Sequence, residues 1–263
     1  MSQELGWIDT HTHLCDQAFD NDLENVMLNL KNKNVSRVLV VCLSFEELEK
    51  GYLLKEKYPN VDLAFGIFPT EYALFTTENK IRIEEIIKDD RIVALGEIGL
   101  DYYWEKDEEK ILLQKEIFNF QIDLAKKYHK PIIIHSRDAC ADTLKILKEK
   151  NHYGIMHCFS YSLEVAKEFV DIGYYISLAG PVTFKNAKEP KRVAKEIDLN
   201  YLLIETDSPY LTPEPNRGKR NESSNVSYIG EYIAKLKNME NEELMIQLNN
   251  NYNRLFKRGK INE

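Results

Sequence analysis

Eight short apolar runs rich in β-branched residues recur along the chain, separated by segments with the three- and four-residue apolar spacing of helices. The runs fall at about 6–14, 35–43, 62–69, 92–102, 131–137, 153–159, 174–180 and 201–209. Strands that alternate with helices pair in parallel, because a helical crossover returns the chain to the same end of the sheet. Eight such units in 263 residues predict an α/β fold, a closed (β/α)8 TIM barrel, as a single domain over 1–263. The clearest helix is expected at 108–129, where Ile111, Leu112, Lys115, Phe118, Ile122 and Ala125 follow helical steps. A last helix at about 239–257 is expected to pack on the outside. The competing architecture, an open doubly wound sheet, calls for a glycine-rich GxGxxG turn after the first strand, and none is present.

The first run ends instead in two histidines. Side chains two apart on a strand share a face, so His11 and His13 converge on one point. In a barrel the C-terminal strand ends meet at one mouth, so ionisable residues at other ends converge there too. Glu97 closes Val93-Ala94-Leu95-Gly96, His135 follows Ile132-Ile133-Ile134, His157 follows Ile155-Met156, and Asp207 lies beyond Leu202-Leu203-Ile204. Four imidazoles and two carboxylates suffice for two divalent ions, and each would be costly to bury without a partner or a metal. Taken singly, each also fits a hydrogen-bonded core residue. His129, beside Lys130, and His152, in the polar Lys150-Asn151-His152 loop, are expected to be solvated.

Charge and cysteine usage narrow the function classes. With 43 acidic against 35 basic side chains the net charge is −8, which speaks against a broad basic face for nucleic acid. It does not exclude an enzyme acting on phosphodiesters, since two divalent ions would bring −8 to −4 where the phosphate sits. No apolar run approaches the about 18 residues of a membrane span, and the start has no basic-then-apolar leader. A cytoplasmic protein without membrane contact is therefore expected. Cys15, Cys42, Cys140 and Cys158 form no CxxC pair and read as buried free thiols.

Six ordered blocks carry a family resemblance. Asp9-Thr10-His11-Thr12-His13-Leu14, Gly96-Glu97-Ile98-Gly99-Leu100-Asp101-Tyr102-Tyr103, Ile134-His135-Ser136-Arg137-Asp138-Ala139, His157-Cys158-Phe159-Ser160, Glu205-Thr206-Asp207-Ser208-Pro209-Tyr210-Leu211-Thr212 and Arg217-Gly218-Lys219-Arg220-Asn221-Glu222 resemble the successive signatures of the TatD family. Its members are metal-dependent deoxyribonucleases of the amidohydrolase superfamily. The resemblance implies that His11, His13 and Asp207 hold one ion, that His135 and His157 hold the other, and that Glu97 bridges them. It further implies a two-metal activated-water mechanism, with Asp207 as general base and Glu97 as the second catalytic carboxylate. Imidazole-rich ligation favours zinc or manganese over magnesium, although magnesium often serves in assays of the family.

The chain departs from the pattern in places. Ala64-Phe65-Gly66-Ile67-Phe68-Pro69 carries Phe68 where the family has histidine, and a phenyl ring neither donates a hydrogen bond nor takes a proton. A preserved metal site with altered rate or preference is expected, with Glu71 as a candidate substitute. Ser223 replaces a family proline, and Tyr161 replaces a glycine.

Substrate contacts are expected from Arg217, Lys219 and Arg220 after the eighth strand, where barrels commonly bind phosphate. A solvated run, or a pairing of Arg220 with Glu222 or Glu205, is the alternative. Tyr102, Tyr103 and Trp104 could stack on bases or pack on the barrel. Glu205 and Arg137 are expected at the mouth as substrate-binding groups, with structural ion pairing as their alternative, and Asp101 is a further carboxylate near it. The leading expectation is transient binding and cleavage of DNA, including exonuclease action on single-stranded ends. An ester or amide hydrolase, such as an aminoacyl-tRNA deacylase, and a metal-bearing but impaired binding protein stay open.

Overall fold

The computed structural model describes residues 5–257. Its strands are β1 (Trp7–Thr12), β2 (Val35–Cys42), β3 (Val61–Phe65), β4 (Ile92–Asp101), β5 (Ile132–Arg137), β6 (Gly154–Met156), β7 (Tyr174–Leu178) and β8 (Leu202–Ile204). They pair in parallel in the order β1-β2-β3-β4-β5-β6-β7-β8. A bridge between Thr12 and Ser208 closes the ring. Two backbone bonds seal it: His13 N donates to Ser208 O at 2.8 Å and Asp207 N donates to His11 O at 2.9 Å. This is the expected TIM barrel.

β6 and β8 are shorter than their apolar runs, at three residues each. Cys158 and Asp207 lie just beyond them with left-handed φ values of 44° and 55°, which no strand accommodates.

The helices are α1 (Leu23–Asn32), α2 (Phe45–Lys57), α3 (Thr77–Lys88), α4 (Glu108–Lys127), α5 (Cys140–Lys150), α6 (Leu163–Asp171), α7 (Lys188–Glu196), α8 (Val226–Lys237) and α9 (Asn241–Lys257). Ser44, Thr76, Asp107 and Ser162 each accept a first-turn N–H, which fixes where α2, α3, α4 and α6 begin. No helix among the described residues is long and apolar enough to cross a membrane.

Apolar side chains sort into two shells. An outer shell fills the space between strands and helices, and every strand contributes to an inner cluster: Ile8, Leu39, Val41, Ala64, Ala94, Ile133, Ile155, Tyr175 and Leu203. The last helix does not simply lie outside, as the sequence suggested. Tyr252 and Leu255 of α9 join the inner cluster, so α9 closes the barrel end opposite the mouth. Its polar residues fasten it there: Tyr252 Oη donates to Asp62 Oδ2 at 2.7 Å, Asn249 Nδ2 to Gly6 O at 2.9 Å and Asn251 Nδ2 to Leu202 O at 2.8 Å. Without that cover the lower layer of the inner cluster would meet water.

His152 also differs from expectation. It is buried, and its Nε2–H donates to Lys130 O at 2.8 Å, tying the turn before β6 to the residues before β5. His129 is exposed, as its sequence context indicated. All four cysteines are free, but only Cys15 and Cys42 are buried; Cys140 and Cys158 are half-buried.

Candidate metal centre

Strand alternation explains part of the site. Ile133 and His135 share a face of β5, so the inner core continues there directly into the mouth, whereas His157, Glu205 and Asp207 lie just past the last residues of β6 and β8. β1 and β4 need a change of parity, because Ile8 and Ala94 are the inner residues and His11 and Glu97 lie an odd number of positions further on. The register slips between Asp9 and Thr12 against β2, and between Leu95 and Ile98 against β5. Those slips turn His11 and Glu97 inward.

Glu97 stands at the centre. Its Oε1 lies 2.7 Å from His135 Nδ1 and 3.0 Å from His157 Nε2, while its Oε2 lies 3.3 Å from His11 Nε2 and 3.8 Å from His13 Nε2. Asp207 Oδ1 sits 3.5 Å from His13 Nε2 and 3.7 Å from His11 Nε2. All six sequence-predicted ligands thus meet at one place.

Neighbouring acceptors fix the ring tautomers. His13 Nδ1 faces Val41 O at 3.2 Å, and a carbonyl only accepts, so the proton is on Nδ1 and the Nε2 lone pair points into the cage. Glu205 Oε1 does the same for His157 Nδ1 at 3.1 Å, and also accepts Cys158 N–H. Asp101 Oδ2 faces His135 Nε2 at 2.9 Å, which leaves His135 Nδ1 toward Glu97.

Such an array suits a cation. His11 Nε2 and His13 Nε2 are only 3.2 Å apart, and converging lone pairs repel unless positive charge lies among them. The donor atoms gather in three sets: His11 with His13 and Glu97, Glu97 with His135 and His157, and His11 with His157 and Asp207. Three buried side-chain polar atoms among the described residues lack a hydrogen-bond partner, and two of them, His11 Nδ1 and Glu205 Oε2, are here. Burial opposes charge on Glu97, but when the rings are protonated instead, His157, His11 and His135 outweigh it and hold the carboxyl well below its ordinary range. Burial likewise opposes charge on Asp207, and in that state His13, His157 and His11 lower its carboxyl against it. The donor set suits a metal ion.

The sequence-predicted substrate residues scatter. Arg217 and Lys219 are exposed on the rim, with the Arg217 guanidinium 4.1 Å from the Phe184 ring centre. Arg220 pairs with neither Glu222 nor Glu205; it forks onto Asp22 at 2.8 and 2.7 Å and donates to Ala18 O at 2.6 Å. Tyr102 is half-buried and donates to Asp142 Oδ2 at 2.7 Å. Arg137 is exposed against Tyr103. Glu205 is fully buried behind His157. The Phe68 ring meets His135 edge-on at 4.8 Å, and Glu71 is exposed.

Sequence reasoning missed Gln114. It is buried on α4, accepts Asp101 N–H at 2.9 Å and donates to Asp101 O at 3.1 Å. Gln121, seven residues on, holds Ile67 in the same way. The signal was the spacing, which places both amides on the apolar face of α4.

A TIM barrel with this histidine and carboxylate cage at its mouth defines a metal-dependent hydrolase. A family model described as TatD related DNase matches residues 8–257. The metal-dependent hydrolase YabD of Bacillus subtilis is 46% identical over 252 residues, covering 95% of this chain and 98% of that protein. The metal-dependent hydrolase YcfH of Escherichia coli is 36% identical over 260 residues, 95% of each. The structure of YJJV, a TatD homologue from Escherichia coli, superposes with a TM-score of 0.89 at 27% identity, covering 95% of this chain and 98% of that one. The chain belongs to the TatD family.

Proposed function

We propose that the protein hydrolyses phosphodiester bonds in DNA, acting on single-stranded ends, with two divalent cations at the barrel mouth. The observation that carries this reading is the division of Glu97: one oxygen serves His135 and His157, the other His11 and His13. One carboxylate shared by two nitrogen pairs suits a pair of ions. The DNase description of the matching family model supports the choice of substrate.

His11, His13 and Asp207 would hold one ion, His135 and His157 the other, and Glu97 would serve both. Cations held there lower the pKa of water and offset the negative charge that builds on phosphate oxygens during displacement. Asp207 would take the proton released as water attacks phosphorus, a role supported by its side chain being 14% exposed at the mouth, against 4% for Glu97. Glu205 and Asp101 keep the protons of His157 and His135 on the outer ring nitrogens, so both rings present lone pairs inward. Arg217 and Lys219, exposed on the rim, would anchor flanking phosphates. Arg220 is committed to Asp22 and holds the rim loop in place.

Full-length protein supplied with manganese, magnesium or zinc and given an end-labelled single-stranded oligonucleotide tests the reading. Metal-dependent shortening of the strand is expected, reduced about 10²-fold or more in Asp207→Asn. Equal cleavage by that variant, or none with any of the ions, removes the proposal.

A further inference from the structure

Beyond β4 the chain turns outward through Tyr102-Tyr103-Trp104. Asp101 Oδ1 accepts the backbone N–H of Tyr103 and of Trp104, each at 2.9 Å, and so pins this turn to the carboxylate that also holds His135. The pinned turn puts two rings into water: Tyr103 is 48% and Trp104 68% exposed, meeting edge to face with centres 4.8 Å apart. Arg137, two residues beyond His135 on β5, lays its guanidinium 3.8 Å from the Tyr103 ring centre and 5.6 Å from that of Trp104.

Arg137 has no ion-pair partner among the described residues, whereas Arg37, Arg91, Arg192 and Arg220 each hold a carboxylate. An exposed aromatic surface calls for a flat apolar ligand, and an unneutralised guanidinium beside it calls for an anion. A nucleotide joins both in one molecule. Its base must be unpaired, since stacking within a duplex hides the ring faces.

We infer that Tyr103, Trp104 and Arg137 form a nucleotide seat beside the cage, with a nucleobase stacked on Trp104 and its phosphate on Arg137. The inference rests on the DNA reading above and adds to it the residues that hold the strand next to the bond being cut. Tyr102 takes no part, because its hydroxyl is engaged by Asp142.

The chain has two tryptophans, and Trp7 is buried at 3% exposure, so quenching by a nucleic acid reports Trp104. Metal-loaded, full-length protein is titrated with a hydrolysis-resistant phosphorothioate thymidine oligonucleotide and with an abasic strand of the same length. The thymidine strand is expected to quench emission and to bind about tenfold more tightly. Trp104→Ala, followed by anisotropy of a labelled strand, should bind both strands with the wild-type abasic affinity, and Trp104→Phe should recover part of the difference. A wild type that binds neither strand or does not distinguish them, or a Trp104→Ala variant that still distinguishes them, overturns the seat. Metal-dependent cleavage is scored separately, so loss of the seat and loss of the DNA reading give different results.

Discussion

Glu205 touches no cage nitrogen on the inner side, yet it decides what His157 can do. Fully buried, it accepts from His157 Nδ1 at 3.1 Å, and it thereby leaves Nε2 free to face Glu97. Removing such a supporting acceptor typically weakens metal binding about 10–100-fold. Glu205→Ala is expected to show that loss in a chelator competition, and Glu205→Gln, which keeps an acceptor oxygen, to recover part of it. Unchanged affinity in a folded Glu205→Ala protein would show that His157 is oriented by packing alone. The sequence marked Glu205 by its place at a strand end; its direction, toward the outer nitrogen of His157, depends on neighbours that only folding brings close.

At the scale of elements, β4 is tightly held at one position. Gly99 has φ of +142°, and a Cβ there would lie 2.0 Å from His135 O. Gly99→Ala would push β4 from β5 and separate Glu97 from His135. Backbone strain and overpacking each cost about 1–3 kcal/mol, and a denaturant titration should register both as lost stability. Metal affinity should fall in the same variant; wild-type stability would show that β5 yields without loss. Alternation made β5 legible, because His135 keeps the parity of Ile133, while His157 and Asp207 were marked only by standing just past an apolar run. It could not reveal why Glu97 and His11 face the same mouth, since the slips that turn them are properties of pairing with β5 and β2. The strand runs themselves were readable; the early ends of β6 and β8 were not, because an apolar run continues past the residues at which the backbone leaves the ladder.

For the molecule as a whole, the buried His152 links stability to acidity. Burial holds its folded imidazole below the ordinary value of about 6.5, so the unfolded chain takes up the proton first as pH falls. The stability this group contributes is complete above about pH 6.5 and is lost as pH drops from there toward the folded value. His152→Gln is expected to cost about 0.5–1.5 kcal/mol near neutrality, and its melting temperature should decline less than the wild type's between about pH 7.5 and about pH 5.5. Parallel declines in the two proteins would place the acid sensitivity elsewhere. α9 illustrates the limit of periodicity at this scale: a helical pattern says which face is apolar, and only the open end of the barrel says where that face goes.

The seam between β1 and β8 bears on biosynthesis. Thr12 and Ser208 are 196 positions apart, and the backbone bonds of His11 and His13 reach across to Asp207 and Ser208. A nascent chain therefore carries its first two imidazoles beside an unpaired sheet edge until the segment after Leu202 is made, and Asp207 is the last of the six cage residues to arrive. A product released before that segment holds five of the six cage residues but lacks both Asp207 and the strand that closes the ring.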